Sequence, residues 1–197
     1  GRAPGAGVAP VTLAALLEGI EAERVSGPTD HEVPALCYDS RRVSPGAVFF
    51  GLAGVNQDGG RFAGEAVAAG AAAVVVARGT PVRGATVVEV AEPRKALAQA
   101  AARFHRHPER GLRIVAVTGT NGKTTTTFLL EHVLAAAGHP PGVVGTVSYR
   151  WPGGTMDAPY TTPTPEVLQG ALGAMAQAGV THVAMEVTSA ALAMHRV

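Results

Sequence analysis

The sequence predicts an α/β protein: a small N-terminal α/β domain followed by the start of a parallel-sheet, phosphate-loop domain. Three observations predict it. Apolar runs of five to seven residues alternate with helical patterns. The polar stretch Arg106 to Arg113, RHPERGLR, carries Pro108 and Gly111 and separates two self-sufficient patterns, so the expected domains are 1–109 and 110–197. And Val117 to Thr127, VTGTNGKTTTT, stands between an apolar run and a helical pattern.

The elements follow in order. Leu13, Leu16, Leu17 and Ile20 recur at helical spacing and predict a short opening helix, with a turn-rich stretch after it through Pro34. Ala47 to Leu52 follows the turn Ser44-Pro45-Gly46 and reads as a buried strand, with a tight loop at Asp58-Gly59-Gly60. Phe62 to Gly70 suits a helix that ends on glycine, and Ala72 to Ala77 and Thr86 to Val90 suit buried strands. Pro93 opens a helix carrying Leu97, Ala101 and Phe104 to about His107. Beyond the boundary come a buried strand at Arg113 to Val117, a helix from Lys123 to Ala137 and a strand at Gly142 to Val147. A long loop, a helix at Pro165 to Ala178 and a strand at Thr181 to Val187 complete the pattern. Three parallel strands are expected in this second part, with the edge beyond Thr181 to Val187 left unpaired.

Composition limits the function classes. With 47% hydrophobic residues the 197-residue chain can bury real cores, and 25 glycines with 14 prolines, about a fifth of the chain, stop short of a disordered composition. Sixteen basic against fifteen acidic residues give a net charge of +1, so no global field draws the protein to nucleic acid or to a membrane surface. An anionic ligand must be held locally. Neither a signal-peptide core nor a membrane-length apolar run occurs. The single cysteine, Cys37, flanked by Ala35 and Leu36, reads as a buried thiol, and a reducing cytoplasm fits. His105, His107 and His132 lack metal-ligand spacing and read as surface residues.

The loop at 117–127 carries the chemistry. Its Gly-Lys-Thr ending is that of a phosphate-binding loop, although only Thr120 and Asn121 separate Gly119 from Gly122, where four residues are usual. The glycines let successive N–H groups turn toward an anion, and the helix N-terminus adds its partial positive charge. Thr120, Asn121 and Thr125 belong to the same cradle. Lys123 is placed to neutralise β- and γ-phosphates of ATP, and the Thr124 hydroxyl to ligate Mg²⁺. Four consecutive threonines form a helix poorly unless their hydroxyls find partners.

The stretch TGTNGKTTT resembles the ATP-binding loop of the Mur ligases and their relative folylpolyglutamate synthase, whose loops have this compact form. Further stretches narrow the resemblance: YDSRRVSPGAVFF (38–50), LAGVNQDGGRF (52–62), EAVAAGAAAVVV (65–76), Thr161-Thr162-Pro163 and VAMEVTSAALAMHRV (183–197) resemble the Mur ligases that add the third residue of the peptidoglycan stem. The resemblance runs from about Leu13 onward.

It implies an ATP- and Mg²⁺-dependent amide ligase, cytoplasmic and monomeric. Its partners would be UDP-N-acetylmuramoyl-L-alanyl-D-glutamate and a diamino acid, with no nucleic acid and no membrane insertion. The N-terminal domain would bind the UDP moiety through Ser40, Val55, Asn56 and Gln57. Thr161, Thr162, Thr188 and Arg196 would contact the muramoyl substrate, Lys123 and Glu186 would be catalytic, and Thr124 with Glu186 would hold the metal. Glu186 also earns its place from the residues alone. It ends an apolar strand at the edge where ligands gather, flanked by Met185 and Val187, so its charge needs a partner.

Two departures stand out: Ala190 replaces a family histidine, and Tyr160 stands where an asparagine often precedes the threonine pair. The bland reading of Asp39 and Ser40 is turn capping. Two other functions stay open. One is a non-catalytic nucleotide-binding module, favoured by Ala190. The other is a folylpolyglutamate synthase-like ligase, disfavoured by the DSRRV segment. The chain starts without Met and stops at His195-Arg196-Val197, which reads as an excerpt of a longer protein, inactive in amide formation by itself. The third amino acid is not legible.

Overall fold

The structure, a computed structural model, describes residues 10–52 and 59–197, and these divide into two compact units, with the chain passing from one to the other after Phe104. Val55, Asn56 and Gln57, expected at the UDP site, lie outside the described residues.

In the first unit, β1 (Val11–Thr12) leads into the one-and-a-half-turn helix α1 (Leu13–Leu17). The Thr12 side chain caps this helix by accepting a hydrogen bond from the Ala15 N–H at 3.2 Å. Next come β2 (Ala22–Ser26), β3 (Glu32–Val33) and β4 (Leu36–Cys37), the first two within the stretch read from sequence as turns. β5 (Val48–Phe50), α2 (Ala63–Ala68), β6 (Ala73–Ala77), β7 (Thr86–Val90) and α3 (Pro93–Phe104) complete the unit. The sheet order is β2-β7-β6-β5-β4, with β4 to β7 parallel and β2 antiparallel at one edge.

Strand periodicity divides the core between the two faces. Val48 and Phe50, Ala73 and Val75, and Val88 and Val90 pack with Leu13 and Leu16 of α1 and with Leu97 of α3. The intervening Phe49, Val74 and Val76 pack with Ala63 and Ala66 of α2 on the other face. Each fully buried Val or Phe contributes about 1.5–3 kcal/mol. Cys37 is half-buried rather than buried, and its Sγ lies 3.0 Å from the Asp39 carbonyl oxygen.

At the start of the second unit, Arg106 and His107 take consecutive left-handed conformations, with φ of 61° and 54°. His105 and His107 are half-buried, contrary to the surface reading, and His107 Nδ1 stands 3.0 Å from Glu109 Oε1. Burial holds the His105 imidazole below its ordinary pKa.

The second unit runs β8 (Arg113–Val117), α4 (Lys123–Ala136), β9 (Pro141–Val144), β10 (Tyr149–Trp151), β11 (Gly154–Met156), α5 (Pro165–Gln177), β12 (His182–Glu186) and α6 (Ser189–Ala193). Its sheet order is β11-β10-β9-β12-β8. β12 is parallel to both β8 and β9, as the alternation predicts. Two corrections follow. The expected long loop contains the antiparallel hairpin β10–β11, and β12 lies inside the sheet while β8 forms its edge.

One face of this sheet packs Val144, Tyr149, Val183 and Met185 against Leu168, Leu172 and Met175 of α5. The other face is thinly covered. The strand RIVAV, expected buried, leaves Ile114 and Val115 exposed because it is the edge strand; on α4, Leu130 and Leu134 are half-buried while Val133 is 64% exposed. Thr127 is the one fully buried residue of α4.

Candidate functional site

The parallel strands β8, β9 and β12 end on one side of the sheet, and the site is built there from the segments that follow them. After β8 the chain turns through Gly119 (φ 141°) and Gly122 (φ 78°), conformations that L side chains rarely adopt. Gly122 is the N-cap of α4 and has no side chain to bond the first-turn amides, so these N–H groups remain available to an anion. The Lys123 ammonium donates to the Gly119 carbonyl at 2.7 Å, which folds the side chain back over the loop.

Two threonines of the run TTTT have partners that explain the sequence. Thr127 donates to the Lys123 carbonyl at 2.6 Å within the helix. Thr124 reaches across to the end of β12 and donates to Glu186 Oε2 at 3.0 Å.

Glu186 is the centre of the site, 2% exposed. Its second oxygen, Oε1, accepts the Thr146 N–H at 3.1 Å, and Oε2 also accepts the Thr146 hydroxyl at 3.1 Å. Among the described residues no cation pairs with it. A buried carboxylate with only neutral donors lacks a compensating positive charge. Its oxygens and the Thr124 hydroxyl are hard donors of the kind a divalent cation such as Mg²⁺ takes, and the residues fit that ion.

A cleft of about 280 Å³ opens here, lined by residues 120–125 and by Thr146, Thr161, Glu186 and Thr188. It gathers the expected loop residues Thr120, Asn121, Gly122, Lys123, Thr124 and Thr125 with Glu186, Thr161 and Thr188. Thr146 was not singled out from the sequence. The signal is present, since Gly145-Thr146 follows a parallel strand at its carboxyl end, but the apolar pattern predicts a strand to Val147 whereas β9 stops at Val144.

The expected muramoyl contacts separate into two kinds. Thr161 faces the cleft with its hydroxyl 3.1 Å from that of Thr146. Thr162 is 1% exposed and spends its hydroxyl on the backbone, donating to the Glu186 carbonyl at 3.0 Å and accepting from the Thr188 N–H at 3.1 Å. Its geometry is that of a brace between loop and strand. Thr188 caps α6, its hydroxyl accepting from the Ala191 N–H at 3.1 Å. Arg196 donates to the Thr162 carbonyl at 2.9 Å and lays its guanidinium over the Tyr160 ring, 4.7 Å from the centroid. The Tyr149 hydroxyl donates to the Tyr160 carbonyl from below.

In the first unit Ser40 begins a short 3-10 turn after β4 and donates to Glu65 Oε2 at 3.1 Å. Asp39 caps that turn through the Arg41 N–H at 3.1 Å. The Arg41 side chain, bonded to the same carboxylate at 2.8 and 2.9 Å, holds the Asp39 pKa down to about 2.

Fold and site define a class, an α/β protein with a phosphate loop backed by a buried acidic residue. Residues 32–105 match the model of the Mur ligase family, catalytic domain, and residues 117–197 that of the Mur ligase middle domain. The chain belongs to the Mur ligase family.

Among curated relatives it is 40% identical over 192 residues to a UDP-N-acetylmuramoyl-L-alanyl-D-glutamate–2,6-diaminopimelate ligase of Parasynechococcus marenigrum, covering 94% of this chain and 38% of the relative. It is 44% identical over 167 residues to the enzyme of that name from Geobacter metallireducens, covering 84% and 33%. A solved structure of a ligase of the same name superposes with a TM-score of 0.75 at 27% identity, over 95% of this chain and 38% of the other. The Thermotoga maritima MurF ligase solved with ADP shares the fold at 22% identity and a TM-score of 0.51, over 79% of this chain and 32% of that one. The chain thus spans well under half the length of the relatives it matches.

Proposed function

We propose that this chain supplies the substrate-binding domain (1–109) and the nucleotide-binding part (110–197) of an ATP-dependent ligase. That ligase joins a diamino acid to the glutamyl carboxylate of UDP-N-acetylmuramoyl-L-alanyl-D-glutamate. The carrying observation is the hydrogen bond from Thr124 to the buried Glu186, which ties the first turn after the glycine loop to an otherwise uncompensated carboxylate. The relatives' names support the substrate, and 2,6-diaminopimelate is the diamino acid in those names.

In this reading the glutamyl carboxylate oxygen attacks the γ-phosphorus of ATP and ADP leaves, which gives an acyl phosphate. The amine nitrogen then bonds to the acyl carbon, phosphate leaves, and the amine loses a proton to form the amide. Lys123 and the loop amides draw off the charge that builds on the transferring phosphoryl group. Thr124 and Glu186 hold Mg²⁺, which supplies neutralisation of phosphate charge when bound. Arg196, braced on Tyr160, offers a cation to the anionic substrate. Ser40, with Val55, Asn56 and Gln57, holds the UDP moiety. The protein acts as a cytoplasmic monomer.

The test is isothermal titration of ADP with Mg²⁺ into this chain and into Lys123→Ala, with thermal melting alongside. Loss of a charge-assisted contact weakens binding on the order of tenfold to a hundredfold at an unchanged melting temperature. Unchanged affinity would overturn the loop assignment.

A further inference from the structure

We propose that Thr146 is a positioning residue: it fixes the Glu186 carboxylate for the divalent cation and links that carboxylate to the loop carrying Thr161. The inference rests on the nucleotide reading above and deepens it.

The geometry is specific. Thr146 is the only residue that reaches both Glu186 oxygens among the described residues, by its N–H to Oε1 and its hydroxyl to Oε2, both at 3.1 Å. With Thr124 also on Oε2, three bonds set the carboxylate plane, two of them from Thr146. The neighbouring residue makes room: a Cβ on Gly145 would collide with Oε1 and stand 3.2 Å from the Glu186 Cδ. Carboxylate and turn are therefore fitted to one another, and their dipeptide sits at the end of β9.

The second half follows from proton counting. The Thr146 hydroxyl has one proton and two neighbours, Glu186 Oε2 and Thr161 Oγ1 at 3.1 Å. While the proton goes to Glu186, Thr161 must be the donor in the threonine pair. Where a cation draws on Oε2, that oxygen becomes the weaker acceptor and the Thr146 proton turns toward Thr161. The hydroxyls thus carry the state of the nucleotide cleft to the loop before α5, without any side chain moving far.

The experiment uses Thr146→Val, which keeps the shape and the N–H, and Thr146→Ser, which restores the hydroxyl. ADP affinity is measured by titration with Mg²⁺ and with EDTA, together with amide hydrogen exchange across residues 157–164. The expected result is a Mg²⁺-dependent gain in affinity that falls about fivefold to tenfold in Thr146→Val, with affinity in EDTA unchanged. In that variant the loop also loses the protection that Mg²⁺ and ADP confer, and Thr146→Ser recovers both. A wild-type gain in Thr146→Val, or an equal loss with and without Mg²⁺, overturns the positioning role and leaves the proposed function standing. If the parent chain gains nothing from Mg²⁺, the nucleotide reading itself fails and takes this inference with it.

Discussion

Ser40 shows how a candidate ligand group is held ready by an interaction it must surrender. Its hydroxyl donates to Glu65 on the exposed surface, and a diphosphate oxygen would have to replace that carboxylate. Exchange of one acceptor for another makes the net value of the contact small, on the order of 1 kcal/mol. Ser40→Ala should therefore weaken binding of a UDP-muramoyl ligand by about that amount and leave ADP binding unchanged, because the cleft proposed for ADP is lined wholly by residues of the other unit. Calorimetry with both ligands checks it, and an unchanged UDP-ligand affinity would reduce Ser40 to a turn former. Asp39 beside it is already explained as a cap. Its depressed pKa means that its contribution is complete above about pH 4 and fades only as the pH falls through about 2.

At the scale of elements, the hairpin β10–β11 is tied to the phosphate-loop helix by Arg150. Its guanidinium meets the Glu131 carboxylate through Nε at 3.0 Å and through Nη2, and it lies 4.5 Å from the centroid of Phe128. Both side chains are 24% exposed, so the pair falls between a screened surface bridge and a buried one. Arg150→Met should cost about 1–2 kcal/mol in denaturant unfolding. Adding Glu131→Met should recover part of that loss by removing the orphaned carboxylate; a purely additive cycle would show that the pair contributes nothing.

The same hairpin shows what a local sequence pattern leaves out. Strands such as Ala73 to Ala77 are legible because burial on both faces makes them continuously apolar. Tyr149 to Trp151 mixes Arg150 between two aromatics and turns through Pro152-Gly153, so a three-residue hairpin strand leaves no run to recognise. Arg113 to Val117 fails in the opposite sense: its apolar run predicts a buried strand, and burial depends on neighbours that a local pattern does not contain. At the site, the glycine loop, Lys123, Thr124 and Glu186 were readable because motif and strand end coincide. Thr146 is hidden because the apolar pattern prolongs β9 to Val147 and masks the strand end at Val144.

For the whole molecule, the two units differ in how completely they enclose their sheets. The first has a core on each face. The second leaves Ile114, Val115, Phe128, Leu129 and Val133 exposed, apolar side chains that favour self-association. We expect two thermal transitions in this 197-residue chain, with residues 10–104 the later to melt. Saturating Mg²⁺ and ADP should raise only the earlier one. A single transition that shifts as one with ligand would refute the separation. Mixed with ATP, Mg²⁺, UDP-muramoyl-dipeptide and diaminopimelate, the chain alone should form no product, since the proposed site accounts for the nucleotide and the acceptor but for no amine-holding surface, and amide formation needs all three held together.

The placement of β12 between β8 and β9 also fixes an order of events during synthesis. The meander β9–β10–β11 closes through pairings only a few residues apart, whereas β8 has β12 as its one strand partner among the described residues, with Ile114 opposite Val183. Emerging from the ribosome, the strand that launches the phosphate loop waits through nearly 70 residues of further translation before it can be paired. Thr124 waits through 62 residues for Glu186. The proposed nucleotide cradle is therefore a late product of folding even though its sequence signature appears early, and ribosome-stalled chains that end before His182 should hold every residue of the glycine loop and still have no affinity for ADP.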